Sequence, residues 1–510
     1  MTTLTDCSLT AVPSQIDCDI CIVGSGFGGA TAARVLAAAG RDVVVLEEGG
    51  DYTGKSLTQR DAAMYDQLYV QRGGATTQDM GISLLAGRVL GGGGVINACD
   101  VVPAEDAIWR MWQKRFGLEE FSPEAMAPFA RQALADLGAR PIREEQINRN
   151  NAILRQGAAA LGWRGEVMQH NRADHCKGLG TCLVGCPLDA KQNARITLIP
   201  KAIGAGARVL CRARAVRIEA GNSEQKRVQC RSLDRRGYHE QQAFEVRAKI
   251  VILAANPLGT VPLLLRSGLG NGHVGRSLSL QPQVPILALF EQPVDAFHGI
   301  PQSYAVTQFA TCDEARGHGG FRIEGIMGTP GIVGSLVPQA GVAGKELMTQ
   351  LRNIAASLLL LPDESVGRIA LGGAGQAVVR YDLTAEWRQR ARQAIRTAAR
   401  AYFAAGAKTV VLPTVPPKMW TCEADLRQVD ALSLAPATLP LLSAHQQGGV
   451  RMAASEKDGA ADPTGRVFGT RDVYVMDSSG FPTTASSHTM APILAVAHRQ
   501  AARLAGRSKN

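Results

Sequence analysis

The chain has 510 residues, of which 45% are hydrophobic, and a formal net charge of +10. That length buries a large core and accommodates more than one domain. Its basic residues are scattered, with short clusters such as Arg212, Arg214 and Arg217 and no stripe interleaved with aromatics, so the charge speaks against nucleic acid and suits solubility or an acidic partner.

The first residues, Met-Thr-Thr-Leu-Thr-Asp, lack a basic region followed by an apolar one, and a cytoplasmic location is expected. From Ile20 to Val23 the apolar run fits a buried parallel strand. Gly24, Gly26 and Gly29 follow at GxGxxG spacing, with Phe27 and Gly28 between them. The first glycine serves the tight turn, the second the approach of a pyrophosphate, the third close packing of helix on sheet. An alanine-rich helix over 30–39 points its N-terminus at the phosphates, and Gly40 ends it. Val43 to Leu46 is a second strand. Glu47, with Glu48 beside it, stands where a carboxylate accepts ribose hydroxyls. The turn predicts a dinucleotide without choosing NAD or FAD.

Residues 51–79 read as a polar loop. The run Gly87-Arg-Val-Leu-Gly-Gly-Gly-Gly-Val-Ile-Asn97 suits neither an ordinary helix nor a strand. Helix is expected over 104–139, with Trp109, Trp112 and Phe116 in the core. Strands are expected over 207–218 and 245–255, the second returning the chain to the parallel sheet. The region 280–435 reads as separate, with strands and then a helix over 385–405. The greasiest stretch, Ile354 to Leu361, is too short to span a bilayer and reads as a core or interface helix. A strand over 473–476 and a helix over 492–504 close the chain. The expectation is an α/β protein: a Rossmann-like FAD-binding domain (15–280, with a cysteine-rich loop at 175–190, and again 436–507) and an inserted α+β substrate domain on an antiparallel sheet (281–435).

Four ordered blocks, Gly24 to Glu47, Gly87 to Asn97, Val251 to Leu278 and His445 to His488, resemble the glucose–methanol–choline (GMC) oxidoreductases, which are FAD-dependent alcohol oxidases and dehydrogenases. The resemblance covers nearly the whole chain and implies FAD rather than NAD. It implies that Arg88, Gly91, Gly92 and Asn97 cover the flavin and its pyrophosphate, that the Val216 backbone meets the adenine, and that Asp477 lies near the pyrophosphate and ribityl chain. Some members attach FAD through a histidine just before the asparagine of the second block. Ile96 stands there, so non-covalent FAD is expected. Asn256 stands where the family usually has glycine.

The resemblance also places a catalytic pair at His445 and His488. Hydride leaves an alcohol carbon as its hydroxyl proton is removed, a task that suits histidine. His445 is expected to take that proton while hydride passes to flavin N5, and His488 to hydrogen-bond the substrate oxygen. His239, His318 and His498 read as ordinary surface or core histidines.

Eleven cysteines, an odd number in a long chain, argue against a secreted disulfide scaffold. Cys7, Cys18, Cys21, Cys99, Cys211, Cys230, Cys312 and Cys422 read as scattered small hydrophobes. Cys176, Cys182 and Cys186 differ, being spaced C-x5-C-x3-C with Pro187 after the last. Such a run can hold an iron–sulfur cluster. The segment resembles that of bacterial membrane-linked glucose dehydrogenase subunits, which carry a [3Fe–4S] cluster, and also that of cholesterol oxidase-like and long-chain alcohol oxidase-like members. A compact loop with buried thiols or one disulfide, and zinc with His175 as a fourth ligand, stay open beside it.

The function expected is oxidation of a small-molecule alcohol to aldehyde or ketone. One alternative is an iron–sulfur dehydrogenase passing electrons to a cytochrome or quinone partner, exported with a signal-bearing subunit to the periplasm. Another is a non-catalytic flavin redox sensor. No transmembrane segment is expected.

Overall fold

The computed structural model describes residues 3–220, 224–313, 315, 319–336, 341–485 and 487–506; His318 lies outside the described residues. The apolar runs at 20–23, 43–46 and 251–253 have no polar side to show water, and the fold buries both of their faces. They form the middle of an eight-stranded sheet. Its order is Leu4–Asp6, Arg208–Cys211, Val43–Glu47, Gln15–Val23, Glu240–Leu253, Lys226–Leu233, Ala213–Glu219, and Val473–Val475 pairs with the end of Glu240–Leu253. The first five of these strands and Val473–Val475 run parallel, whereas Lys226–Leu233 and Ala213–Glu219 fold back antiparallel. Gln15–Val23 and Glu240–Leu253 thus end side by side, each followed by a helix, Phe27–Ala38 and Asn256–Ser267. Ligands of such sheets sit beyond these carboxyl ends.

A second, nine-stranded sheet is mostly antiparallel, in the order Lys418–Trp420, Thr409–Leu412, Gln283–Leu289, Ile354–Leu360, Arg322–Gly325, Tyr304–Val306, Gly165–Val167. Leu441–Ser443 joins it beside Gln283–Leu289 and carries Ile82–Leu84 in parallel. Strands from the flanks therefore complete a sheet drawn chiefly from 281–435. The helix Ala385–Ala404 packs on one face. Gln283, Pro285 and Leu287, at period two, turn to the other, which roofs a cavity above the first sheet.

Three sequence expectations change. The greasy stretch is the strand Ile354–Leu360, not a helix: an unbroken apolar run of this length carries no period to tell the two apart. The expected helix over 104–139 is two helices, Asp106–Phe116 and Pro123–Leu137; Gly117, with φ +65°, stops the first and Ser122 caps the second. The loop over 51–79 contains the helix Asp61–Leu68, which buries Met64 and Leu68. Trp109, Trp112 and Phe116 are buried as expected. His239 is exposed, and His498 is a buried partner of Asp136 at 2.6 Å. Among the described residues no helix is long and apolar enough to cross a membrane.

Candidate active site

A cavity of about 1160 Å³ opens between the two sheets. Its floor is the glycine turn. Gly24 has φ +102°, and a Cβ there would meet the Ala254 carbonyl oxygen at 2.3 Å. Gly28 presses on the Met476 carbonyl and Gly29 on that of Gly24, each at 2.0 Å for a hypothetical Cβ. Gly26 is different: a Cβ would find nothing nearer than the Gly92 Cα at 3.9 Å. Its open side lies on the cavity, beside Phe27 and Gly28 in the first helical turn. Such a turn offers N–H groups without intrahelical partners and a dipole that favours an anion. This suits a pyrophosphate.

Glu47 closes the turn from below. Its carboxylate accepts from the Ser25 N–H and hydroxyl at 3.1 and 2.6 Å and from the Gly49 N–H at 2.8 Å. A carboxylate has about four acceptor sites, so room remains for one ribose hydroxyl. Glu48 pairs with Arg214 at 3.0 Å. The register between Ala213–Glu219 and Lys226–Leu233 skips one residue, Val216. That bulge takes Val216 out of the ladder; Val216 lines the cavity, and its carbonyl accepts from Arg266 Nε at 3.1 Å.

Asp477 ties its own turn to the start of the helix Asn256–Ser267. One carboxyl oxygen accepts from Ser479 N–H at 2.7 Å; the other accepts from Asn256 N–H at 2.7 Å and the Thr260 hydroxyl at 3.1 Å. Asn256 has φ +63°. This explains the departure from glycine: asparagine is among the few side chains that tolerate the left-handed region. Arg88, Gly92, Ile96 and Asn97 also line the cavity. Gly91 and Gly29 stand behind the wall; Gly91 N–H donates to Ser25 Oγ at 3.0 Å, so its role is to hold the second glycine block onto the first.

His445 and His488 both face this cavity, with ring centroids 5.1 Å apart and planes inclined by 61°. Their surroundings differ. His445 Nδ1 lies 2.6 Å from Gln281 Oε1 and 3.3 Å from Gln283 Nε2. The shorter contact, to an acceptor, puts the proton on Nδ1 and leaves Nε2 with its lone pair. Burial and the neighbouring charge of His488 hold the His445 imidazole down to about 3, so it stays neutral. His488 Nε2 lies 3.3 Å from Glu324 Oε2 and 3.7 Å from Asp100 Oδ2. Burial opposes charge on His488, yet the Glu324 carboxylate and Asp100 outweigh it, and its affinity for a proton is raised. Burial likewise opposes charge on Glu324, and His488 with Arg322 (2.9 Å) brings the carboxyl well below its ordinary range. The pocket therefore pushes the proton affinities of its two imidazoles in opposite directions, down at His445 and up at His488.

The order of these blocks and the glycine turn opening onto the cavity match a known family. The GMC oxidoreductase family profile matches residues 65–283 and 363–497. The chain belongs to the GMC oxidoreductases. A GMC-type oxidoreductase of Mycobacterium tuberculosis is 34% identical over 519 residues, spanning 98% of this chain and 79% of the relative. A long-chain-alcohol oxidase of Arabidopsis thaliana is 27% identical over 513 residues, 95% of this chain and 66% of its own. Pyridoxine 4-oxidase from "Mesorbium loti" superposes with a TM-score of 0.71 at 18% identity, covering 95% of this chain and 99% of that one. A formate oxidase does so with 0.70 at 15%, covering 97% and 99%. At such identities the structural likeness shows the fold. An NAD(P)-binding Rossmann-like profile matches 22–86, the turn shared by dinucleotide folds; membership of the family decides for a flavin. This GMC oxidoreductase is a flavin-dependent oxidoreductase, with a Rossmann-like domain and a second domain on a largely antiparallel sheet, as the sequence led one to expect.

Among the described residues no three His, Cys, Asp or Glu side chains converge as ligands of a metal ion. Cys176, Cys182 and Cys186 share the wall of a second cavity of about 30 Å³. The Cys182 thiol meets Cys99, and His175 is engaged with the Leu188 carbonyl at 3.1 Å. Among the described residues there is no site for a single ion such as zinc completed by His175.

Sequence reasoning missed Gln281, Glu324, Asp100 and Lys191. Lys191 is buried with its ammonium on the carbonyls of Val95, Asn97 and Cys182 at 2.8, 2.7 and 2.6 Å, pinning the second glycine block to the cysteine loop. A lysine followed by Gln-Asn before a helix carries no signal of that role.

Proposed function

We propose that this GMC oxidoreductase oxidises an alcohol to an aldehyde or ketone with non-covalent FAD. The observation that carries the reading is the pair of histidines facing each other 5.1 Å apart on the cavity wall. When bound, FAD supplies the hydride acceptor at its N5. Gly24, Gly26, Phe27, Gly28, Glu47, Glu48, Arg88, Gly92, Asn97, Val216 and Asp477 would hold it, with Gly29 and Gly91 supporting the turn. Ile96 at the family's attachment position supports a non-covalent cofactor.

His445, neutral and with a free Nε2, takes the hydroxyl proton of the alcohol. His488, its proton affinity raised by Glu324, lies beside the same oxygen and favours the negative charge that develops there. The histidines thus divide base and electrostatic roles because their neighbours push their proton affinities apart. Residues 281–435 provide the roof over the substrate, and 15–280 with 436–507 hold the cofactor. The roof is apolar around Pro285, Leu287, Leu358, Leu360 and Met327, which supports an alcohol with an apolar body, in keeping with the long-chain-alcohol oxidases among its relatives.

An anaerobic bleaching screen tests this. A long-chain or aromatic alcohol is expected to bleach the flavin, and His445→Ala to slow the bleaching by roughly 10²–10⁴ with the flavin retained. Failure of every alcohol, sterol and sugar in the panel to bleach the wild-type flavin would sink the proposal. Peroxide yield against dye reduction then decides between oxygen and a protein electron acceptor.

A further inference from the structure

Cys99 read as a scattered hydrophobe, yet it stands at the junction of both cavities. Its neighbours Asn97, Ala98 and Asp100 line the large one. Cys99 itself, at φ +78°, turns to the small one and lines it with Cys182, Lys191 and His170. The Cys99 and Cys182 thiols face one another in this cavity, and both cysteines are free. The contact is not incidental. Lys191 Nζ grips the backbones on either side, at Val95 and Asn97 on one and Cys182 on the other. The two thiols are therefore held together by a buried cation independent of any sulfur bond. Asp100, next to Cys99, has one carboxyl oxygen 2.7 Å from His170 Nε2 and the other 3.7 Å from His488 Nε2.

We propose that Cys99 and Cys182 form a dithiol that closes into a disulfide on oxidation. With hydrogen peroxide as oxidant, the Cys182 sulfur attacks one peroxide oxygen, the O–O bond breaks and hydroxide leaves, giving a sulfenic acid. The Cys99 sulfur then attacks the Cys182 sulfur, the S–OH bond breaks, and the departing hydroxyl takes the Cys99 proton and leaves as water. Two thiols and one peroxide become one disulfide and two waters. The sulfurs must draw in from contact to a bond of about 2.0 Å. Asp100 is carried with Cys99, so the change reaches the charge beside His488 and the segment that covers the flavin. The enzyme's own electron chemistry would thus be sensitive to the peroxide that flavin reoxidation by oxygen releases.

The test is made on the purified, flavin-loaded protein and does not depend on knowing its alcohol. The protein is exposed to hydrogen peroxide, its remaining thiols are blocked with N-ethylmaleimide, and it is digested without reductant for mass spectrometry. The expected result is a peptide pair joining Cys99 to Cys182, loss of both from the alkylated set, and recovery of both with dithiothreitol. Cys99→Ala and Cys182→Ala should each abolish the linked pair; should either fail to fold, mapping of the wild-type protein decides alone. Three results overturn the proposal: no Cys99–Cys182 peptide after peroxide, Cys182 linked to Cys176 or Cys186 instead, or iron and acid-labile sulfide bound in stoichiometric amount with Cys182 protected from alkylation.

Discussion

Gln281 Oε1 sits 2.6 Å from His445 Nδ1, and that one contact sets which nitrogen of the proposed base is free. Gln281 is itself held at φ +47°, its N–H donating to Asp363 Oδ1 at 3.0 Å. Replacing the amide by a carboxylate keeps the shape and adds a negative charge. Gln281→Glu should therefore raise the His445 imidazole from about 3 toward the ordinary histidine range. Protonated His445 cannot take a proton, so the acid limb of flavin reduction should move to higher pH. An acid limb that stays in place would remove Gln281 from this role.

Glu324→Gln removes the carboxylate that outweighs burial at His488. The sign follows from linkage: a histidine whose folded pKa is raised gives stability that is whole below its unfolded pKa and lost as pH rises through the folded one. Without Glu324 the imidazolium loses its proton at lower pH. At pH 7 to 8 the variant should reduce its flavin roughly 10²-fold more slowly, the cost of losing one positioned donor to the developing charge. Its alkaline limb should also begin earlier. Equal rates in the two proteins across pH 6 to 9 would show that His488 acts without its charge.

These partners mark where the sequence stops being legible. The glycine turn, the acid ending the second strand and the pair His445 and His488 sit in local motifs whose geometry follows from a few adjacent residues. Asn256 was readable as a departure, and its left-handed backbone shows why it is tolerated. Glu324, in the strand Arg322–Gly325, and Asp100 and Gln281, outside any strand, act across more than a hundred residues of chain from segments that give no local sign of facing a histidine. The strand Ile354–Leu360 was misread because a short apolar run has the same composition in either conformation. The spacing of Cys176, Cys182 and Cys186 suggested a cluster, whereas Cys99, from a different segment, is what Cys182 meets.

Asp363 supports Gln281 from below and is buried, and that burial pushes its carboxyl up to about 7 despite bonds from the Leu280 and Gln281 N–H groups and the Thr484 hydroxyl. The folded state keeps a proton that the unfolded chain releases near 3.8. Stability from this group is whole below 3.8 and is lost as pH rises through about 7, by on the order of 4 kcal/mol. Asp363→Asn keeps the shape and one of the two acceptor oxygens without titrating. Denaturant midpoints measured from pH 4 to 8 should fall with pH more steeply in the wild type than in the variant. Parallel curves would mean that the carboxyl titrates alike in both states.

The glycine turn offers a test that separates holding the fold from holding the cofactor. At Gly28 an added methyl group would strike the Met476 carbonyl at 2.0 Å, backbone against backbone, in the contact between the first helix and the strand Val473–Val475 that ends beside it. Gly28→Ala should lower the melting temperature of the flavin-free protein, by several degrees for each kcal/mol lost. At Gly26 the same methyl group meets nothing nearer than 3.9 Å and projects toward the cavity where a pyrophosphate would lie against the helix N-terminus. Gly26→Ala should leave the flavin-free melting temperature unchanged and weaken FAD binding by at least about tenfold, read by flavin fluorescence on titration. FAD bound as tightly by Gly26→Ala as by the wild type would place the pyrophosphate elsewhere in the cavity.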